Sequence, residues 1–302
     1  MYKKFFGLRE IPFTLSPDTS YFFAYGHYAN ALNTLLIALR TGEGFIKVTG
    51  EVGTGKTLLC RKLMNTLGDK FHIVYIPNPQ ISSYGLQVAL AEELGLKITR
   101  YVHRLNKMIT DRLLEIAQSG KRVVLCLDEA QAMPEETMES LRLLTNLETE
   151  KFKLLQVVMF GQPELNTLLD RQSVRQLKQR ITYSYQLQPL EREGMDVYIM
   201  HRLVVAGYNG GMLFEAKALE KLFQASRGIP RLINILCHKS LMVAYGQGQR
   251  SVTLAFTQMA IRDTEDTQLN SSRHHWWQRV VAGFALAAVL ISLSSFVVHA
   301  MV

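Results

Sequence analysis

The chain has 302 residues, 48% of them apolar, enough to bury the core of one large or two ordinary domains. Its net charge of +8 comes from 34 Lys and Arg against 26 Asp and Glu and is spread along the chain, so it is no argument by itself for nucleic acid or anionic lipid. The three cysteines, Cys60, Cys126 and Cys237, lie far apart in apolar stretches without CxxC spacing. This excludes a disulfide framework or zinc site and fits a reducing compartment.

The first ten residues are mixed polar and aromatic with no apolar h-region, so no cleaved signal peptide is expected. Further on, short apolar runs alternate with helical patterns: Phe45 to Thr49, His72 to Ile76, Arg122 to Leu127 and Leu154 to Phe160. Strands in alternation with helices imply an α/β fold, a parallel sheet covered on both faces.

The first strand runs into Gly50-Glu51-Val52-Gly53-Thr54-Gly55-Lys56-Thr57, a full GxxxxGK[ST] pattern, and a helix is predicted from Leu58 to Leu67. Strand before and helix after are the context a P-loop requires. The glycines let backbone N–H groups turn inward around phosphates, helped by the helix N-terminus. Lys56 is expected to reach the β- and γ-phosphates of ATP and Thr57 to ligate Mg²⁺, with the backbone through Leu58 completing the nucleotide-binding set.

The third run ends in Asp128-Glu129, at the C-terminal end of a buried strand, where α/β ligand sites lie. Asp128 is expected to hold Mg²⁺ through water, and Glu129 to orient and activate the attacking water. Gln162, just beyond the fourth strand, is a candidate for contact with the γ-phosphate or that water. Arg175 and Arg180 follow in SVRQLKQRITYSY, where either could reach a neighbouring subunit's ATP; Arg180 is preferred and Arg175 is the alternative.

From about Glu191 the pattern turns wholly helical, with helices expected over Met195 to Ala206, Ala216 to Ala225 and Arg231 to Tyr245. Pro230 at the first turn of the last of these presents Arg231 at a helix start, a second cation for the γ-phosphate. Asp263 to Ser272 is a polar linker. Val280 to Val298 is a 19-residue stretch without a charge, roughly 28 Å long at ~1.5 Å per residue, which predicts one transmembrane helix. Trp276 and Trp277 suit the membrane interface, and Arg273 and Arg279 the cytoplasmic side. The expected divisions are 1–190 for the nucleotide-binding domain, 191–262 for a helical lid, 263–279 for the linker, 280–298 for the membrane span and 299–302 for a short periplasmic tail.

Six segments together resemble one family: Phe5 to Phe23, Gly42 to Thr57, Leu127 to Gln131 (LDEAQ), Gly161 to Leu165 (GQPEL), Leu177 to Ile181 (LKQRI) and Gly228 to Asn234 (GIPRLIN). They occur in the order found in the ExeA/GspA-like AAA+ ATPases of bacterial secretion and pilus systems, over residues 1 to about 245. The resemblance implies an AAA+ P-loop NTPase with a three-layer parallel sheet and a C-terminal helical lid. It implies that Arg231 is a sensor-2 arginine touching the γ-phosphate of its own subunit, and that Pro12, Phe13 and residues up to His27 line the adenine pocket. It also implies a homo-oligomer at the inner membrane, single-pass, with the ATPase domain cytoplasmic and with pilus or secretin assembly proteins as partners.

Relatives continue past the membrane helix into a peptidoglycan-binding domain that this sequence lacks, so direct peptidoglycan binding is not expected. The shorter form is most similar to ATPases of MSHA-type type IV pilus biogenesis. An ATPase of exosortase-linked polysaccharide export is the alternative with much the same motifs. A DNA-binding regulator of the transposition type is the alternative from another class, and the absence of a concentrated basic patch or helix-turn-helix pattern argues against nucleic acid as a partner.

Overall fold

The computed structural model describes residues 2–148 and 153–267. Its strands are β1 (Phe45–Gly50), β2 (Phe71–Ile76), β3 (Arg122–Leu127), β4 (Leu155–Gly161) and β5 (Tyr183–Leu187). They form one parallel sheet in the order β2-β3-β4-β1-β5. Four of these runs are the expected ones. The fifth, β5, is an addition: its sequence YSYQL has only Leu187 buried, because it is an edge strand paired on one side alone, with β1.

Alternation along each strand divides the interior in two. Val124 and Cys126 of β3, with Ile46, Val48, Val158 and Phe160, face a core built on α1 (Gly26–Thr41) and α2 (Lys56–Leu67). Val123, Leu125 and Leu127, with Val157 and Met159, face the opposite core. That side is covered by α3 (Ser83–Glu93), α4 (Val102–Gln118), α5 (Glu135–Leu144), α6 (Glu164–Leu169) and α7 (Arg175–Lys178). Both faces of the sheet are therefore dry, which is why its inner strands are continuous apolar runs. Cys60, Cys126 and Cys237 are buried and unpaired, as small hydrophobes.

The helical part comprises α8 (Arg192–Val205), α9 (Ala216–Ser226), α10 (Pro230–Gly246) and α11 (Leu254–Arg262). Helix α11, which the sequence did not suggest, packs on α9 and α10. The N-terminal segment lies across this bundle: Tyr2 Oη is 2.9 Å from His238 Nδ1, and the Arg9 N–H donates to the Ala206 carbonyl at 2.8 Å. Gly228 joins bundle to sheet. Its φ is +73°, its carbonyl accepts from the Leu190 N–H at 2.8 Å, and a Cβ there would lie 1.9 Å from the Leu190 carbonyl oxygen.

The expected inner-membrane location is corrected: among the described residues no helix is long and apolar enough to cross a membrane. The expected span at 280–298, its flanking residues from Arg273 to Arg279 and the 299–302 tail lie outside the described residues.

Candidate active site

Register places the chemistry on one edge of the sheet. Thr49 pairs with Gly161 and Leu127 pairs with Met159, so the residues after β1, β3 and β4 emerge side by side at the strands' C-terminal ends. Gly50 to Thr57, Asp128, Glu129 and Gln162 meet there, against the N-terminus of α2. A cleft of about 450 Å³ opens there, lined on the P-loop side by Val52, Gly53, Gly55, Lys56, Thr57 and Leu58, with Glu129, Gln162 and Arg231 beside them.

Gly50, Glu51 and Thr54, expected as nucleotide ligands, shape the loop from behind and do not line the cleft. Thr54 is fully buried, and its hydroxyl donates to the Glu51 carbonyl at 2.8 Å. Gly53 has φ +83°, and a Cβ on it would lie 2.7 Å from Arg231 Cβ. The Arg231 N–H in turn donates to the Gly53 carbonyl at 3.1 Å.

The Lys56 ammonium donates to the carbonyls of Gly50 at 2.7 Å and Glu51 at 3.0 Å. Burial lowers its pKa below the ordinary lysine value, against the opposing pull of Glu129, Asp128 and Glu51. Thr57 Oγ1 donates to Asp128 Oδ2 at 2.7 Å, and the Glu129 N–H donates to Asp128 Oδ1 at 3.0 Å. Burial raises the Asp128 pKa in spite of those two bonds.

Glu129 sits at φ +51°, in the left-handed region that non-glycine residues rarely adopt, and strain of this kind concentrates at functional sites. Its carboxylate accepts from Gln131 Nε2 at 2.6 Å and from Gln162 Nε2 at 3.1 Å. Gln131 also accepts from the Gln162 N–H at 2.9 Å, so the three side chains form one knot. Burial pushes the Glu129 pKa up, but the bonds from Gln131 and Gln162 and the Lys56 charge prevail and hold it below the ordinary glutamate value.

Thr57 and Asp128 offer a hydroxyl and a carboxylate, hard oxygen donors of the kind Mg²⁺ takes when substrate phosphates and water complete its shell. Among the described residues no group of three or more His, Cys, Asp or Glu could hold a metal ion.

Arg180 lies away from the cleft. Its guanidinium donates to Thr145 Oγ1 at 2.9 Å, to the Arg142 carbonyl at 3.3 Å and to Asn146, closing the C-terminal end of α5. Arg175 is exposed. Of the expected first segment, 12–27, four residues line the cleft. Phe13 is buried edge-on against Phe214, while Thr14, Leu15, Ser16 and Pro17 form the cleft wall. Tyr198, Arg202 and Asn234 also line the cleft; Asn234 closes the GIPRLIN segment, whereas Tyr198 and Arg202 read as ordinary positions on a helix.

Residues 39–169 match the AAA domain family. The chain is 43% identical over 254 residues to general secretion pathway protein A of Aeromonas hydrophila, covering 83% of this chain and 46% of that protein, so it spans about half that relative's length. Among solved structures, ORC1 of Aeropyrum pernix in complex with DNA superposes with a TM-score of 0.63 at 18% identity, over 85% of this chain and 69% of that one. The RuvB branch migration motor of Thermotoga maritima gives 0.55 at 16% identity, over 80% and 70%. At such identities these structures show a shared fold. Over the region it shares with its Aeromonas relative, the chain belongs to the ExeA/GspA-like family of AAA-type ATPases.

Proposed function

We propose that the chain hydrolyses ATP with Mg²⁺, and that hydrolysis in a homo-oligomer supports assembly of a secretion or type IV pilus apparatus. The observation that carries the chemistry is the meeting of Thr57, Asp128 and Glu129 at the mouth of the P-loop, joined by bonds of 2.7 and 3.0 Å. Inward-facing N–H groups of the loop and the Lys56 ammonium bind the phosphates. Mg²⁺ held by Thr57 and Asp128 would neutralise charge on the β- and γ-phosphoryl oxygens. The Glu129 carboxylate, kept ionised, orients the attacking water and takes its proton, and Gln162 sets where that carboxylate points.

Arg231, at the start of α10 and on the cleft wall, supplies a cation from the 191–262 lid of the same subunit. Arg180 or Arg175 supplies one to the neighbouring subunit, a role that requires a position outside its own cleft. The secretion assignment rests on the name of the Aeromonas relative, and the narrower pilus assignment on the motifs of the sequence. The test is steady-state ATP hydrolysis by the full chain across protein concentration, with Lys56→Ala as control. Specific activity should rise with concentration and vanish in the variant. A rate shared by the variant would remove the assignment.

A further inference from the structure

The cleft has a further wall, Thr14 to Pro17, that the phosphate chemistry does not use. Leu15 of this wall and Val52 of the phosphate loop line the cleft with 57% and 52% of their surfaces exposed, two apolar side chains offered to a flat ring. Against this wall lies Arg202 of α8, which also lines the cleft and is only 3% exposed. Burying a guanidinium is costly unless its donors are met. Among the described residues no carboxylate forms an ion pair with Arg202.

Its partners are neutral dipoles. Nε donates to the Pro12 carbonyl at 2.5 Å, Nη1 to Tyr198 Oη at 3.1 Å, and Nη2 lies 3.4 Å from Thr14 Oγ1 and 3.5 Å from the Thr14 carbonyl. The guanidinium also stacks 4.5 Å from the centre of the Tyr21 ring. Tyr198 Oη passes the link on, donating to Asn234 Oδ1 at 3.0 Å. Asn234 stands one turn beyond Arg231 on the same face of α10. One fork therefore grips the N-terminal wall, and through Tyr198 it grips the helix that carries the γ-phosphate cation.

We propose that Arg202 is a positioning residue for the nucleoside end of the bound nucleotide: it holds residues 12–17 as the wall against which base and ribose seat, and ties that wall to α10. The inference rests on the proposed nucleotide binding. Its physical content is geometric. Acceptors on three separate residues are held by one planar fork, which an ammonium on a flexible stem does not reproduce. Loss of the fork should loosen the wall and weaken whatever leans on it, leaving the phosphate cradle of residues 50–57 as it was.

The test compares calorimetric binding of ATP and of inorganic tripolyphosphate, both with Mg²⁺, to the full chain and to Arg202→Met and Arg202→Lys. ATP affinity should fall about tenfold in both variants, the scale of losing a charge-assisted hydrogen bond, with tripolyphosphate affinity unchanged. Equal losses for the two ligands would show a cation acting on phosphates and overturn the proposal. So would full ATP affinity in the lysine variant, which would mean that charge alone suffices. Should both variants fail to fold, Tyr198→Phe carries the test, with a loss of about threefold expected for ATP alone. Wild-type chain that binds neither ligand would remove the nucleotide reading itself.

Discussion

The backbone N–H of Arg231 donates to the carbonyl of Gly53 across 3.1 Å, stitching the first turn of α10 to the phosphate loop. Because the bond is between main chains, the two move as one wherever the arginine side chain points. Gly53 permits the approach: at φ +83° it carries no Cβ, and one would stand 2.7 Å from Arg231 Cβ. Gly53→Ala should therefore destabilise the fold by about 1–3 kcal/mol and weaken nucleotide binding. Thermal unfolding and titration with a fluorescent ATP analogue check both, and an unchanged affinity would deny that the stitch shapes the cradle.

Glu129 is held between Gln131 and Gln162 at 2.6 and 3.1 Å. Glu129→Gln should keep ATP binding and lower kcat by about a hundredfold or more, as expected for loss of a general base. Gln131→Ala should lower kcat with little change in KM, because it frees the carboxylate without touching the loop. Single-turnover kinetics separate the two effects, and a variant that altered KM alone would contradict this placement.

Gly228 meets the Leu190 carbonyl so closely that a methyl group has no room, its Cβ falling 1.9 Å from that oxygen. Gly228→Ala should cost about 3 kcal/mol or more in stability, combining backbone strain with an overpacked junction. Chemical denaturation measures it. A loss under about 0.5 kcal/mol, the usual surface value, would mean that the junction yields.

Arg180 already closes α5 through Thr145 and the Arg142 carbonyl, whereas Arg175 is exposed. Arg180→Ala should lower stability, Arg175→Ala should not, and the variant that removes the trans cation should lower activity. Mixing each with Glu129→Gln subunits identifies the trans residue, since only the inactive partner that lacks the finger recovers turnover on mixing.

The thiols offer a simple check on the core. Cys60, Cys126 and Cys237 are buried; Cys60 is raised well above the ordinary thiol range by its contact with Cys126 and by burial, and burial alone raises Cys237. All three should resist a thiol reagent at pH 8 in the native chain and react together once it is unfolded. Fast labelling of a native thiol would place it outside the packed interior.

Residues contiguous in the chain made the glycine-rich loop and the acidic pair legible in advance. Gly50 to Thr57 is one loop between a strand and a helix, and Asp128-Glu129 ends an apolar run that can only be a buried strand, so local backbone chemistry determined both. Four strands could be read for the same reason: each is a short apolar run between helical patterns. Tyr183–Leu187 could not, because YSYQL buries only Leu187 and carries no apolar run, and only its pairing with β1 reveals it. Tertiary structure alone decided the other wall of the cleft. Arg202 meets the Pro12 carbonyl across 190 positions of sequence, and Gln131 meets Gln162 because β3 and β4 are adjacent in the sheet. Contacts of this kind leave no periodicity or motif in the sequence, since they depend on where separate elements dock and not on what any one of them is made of.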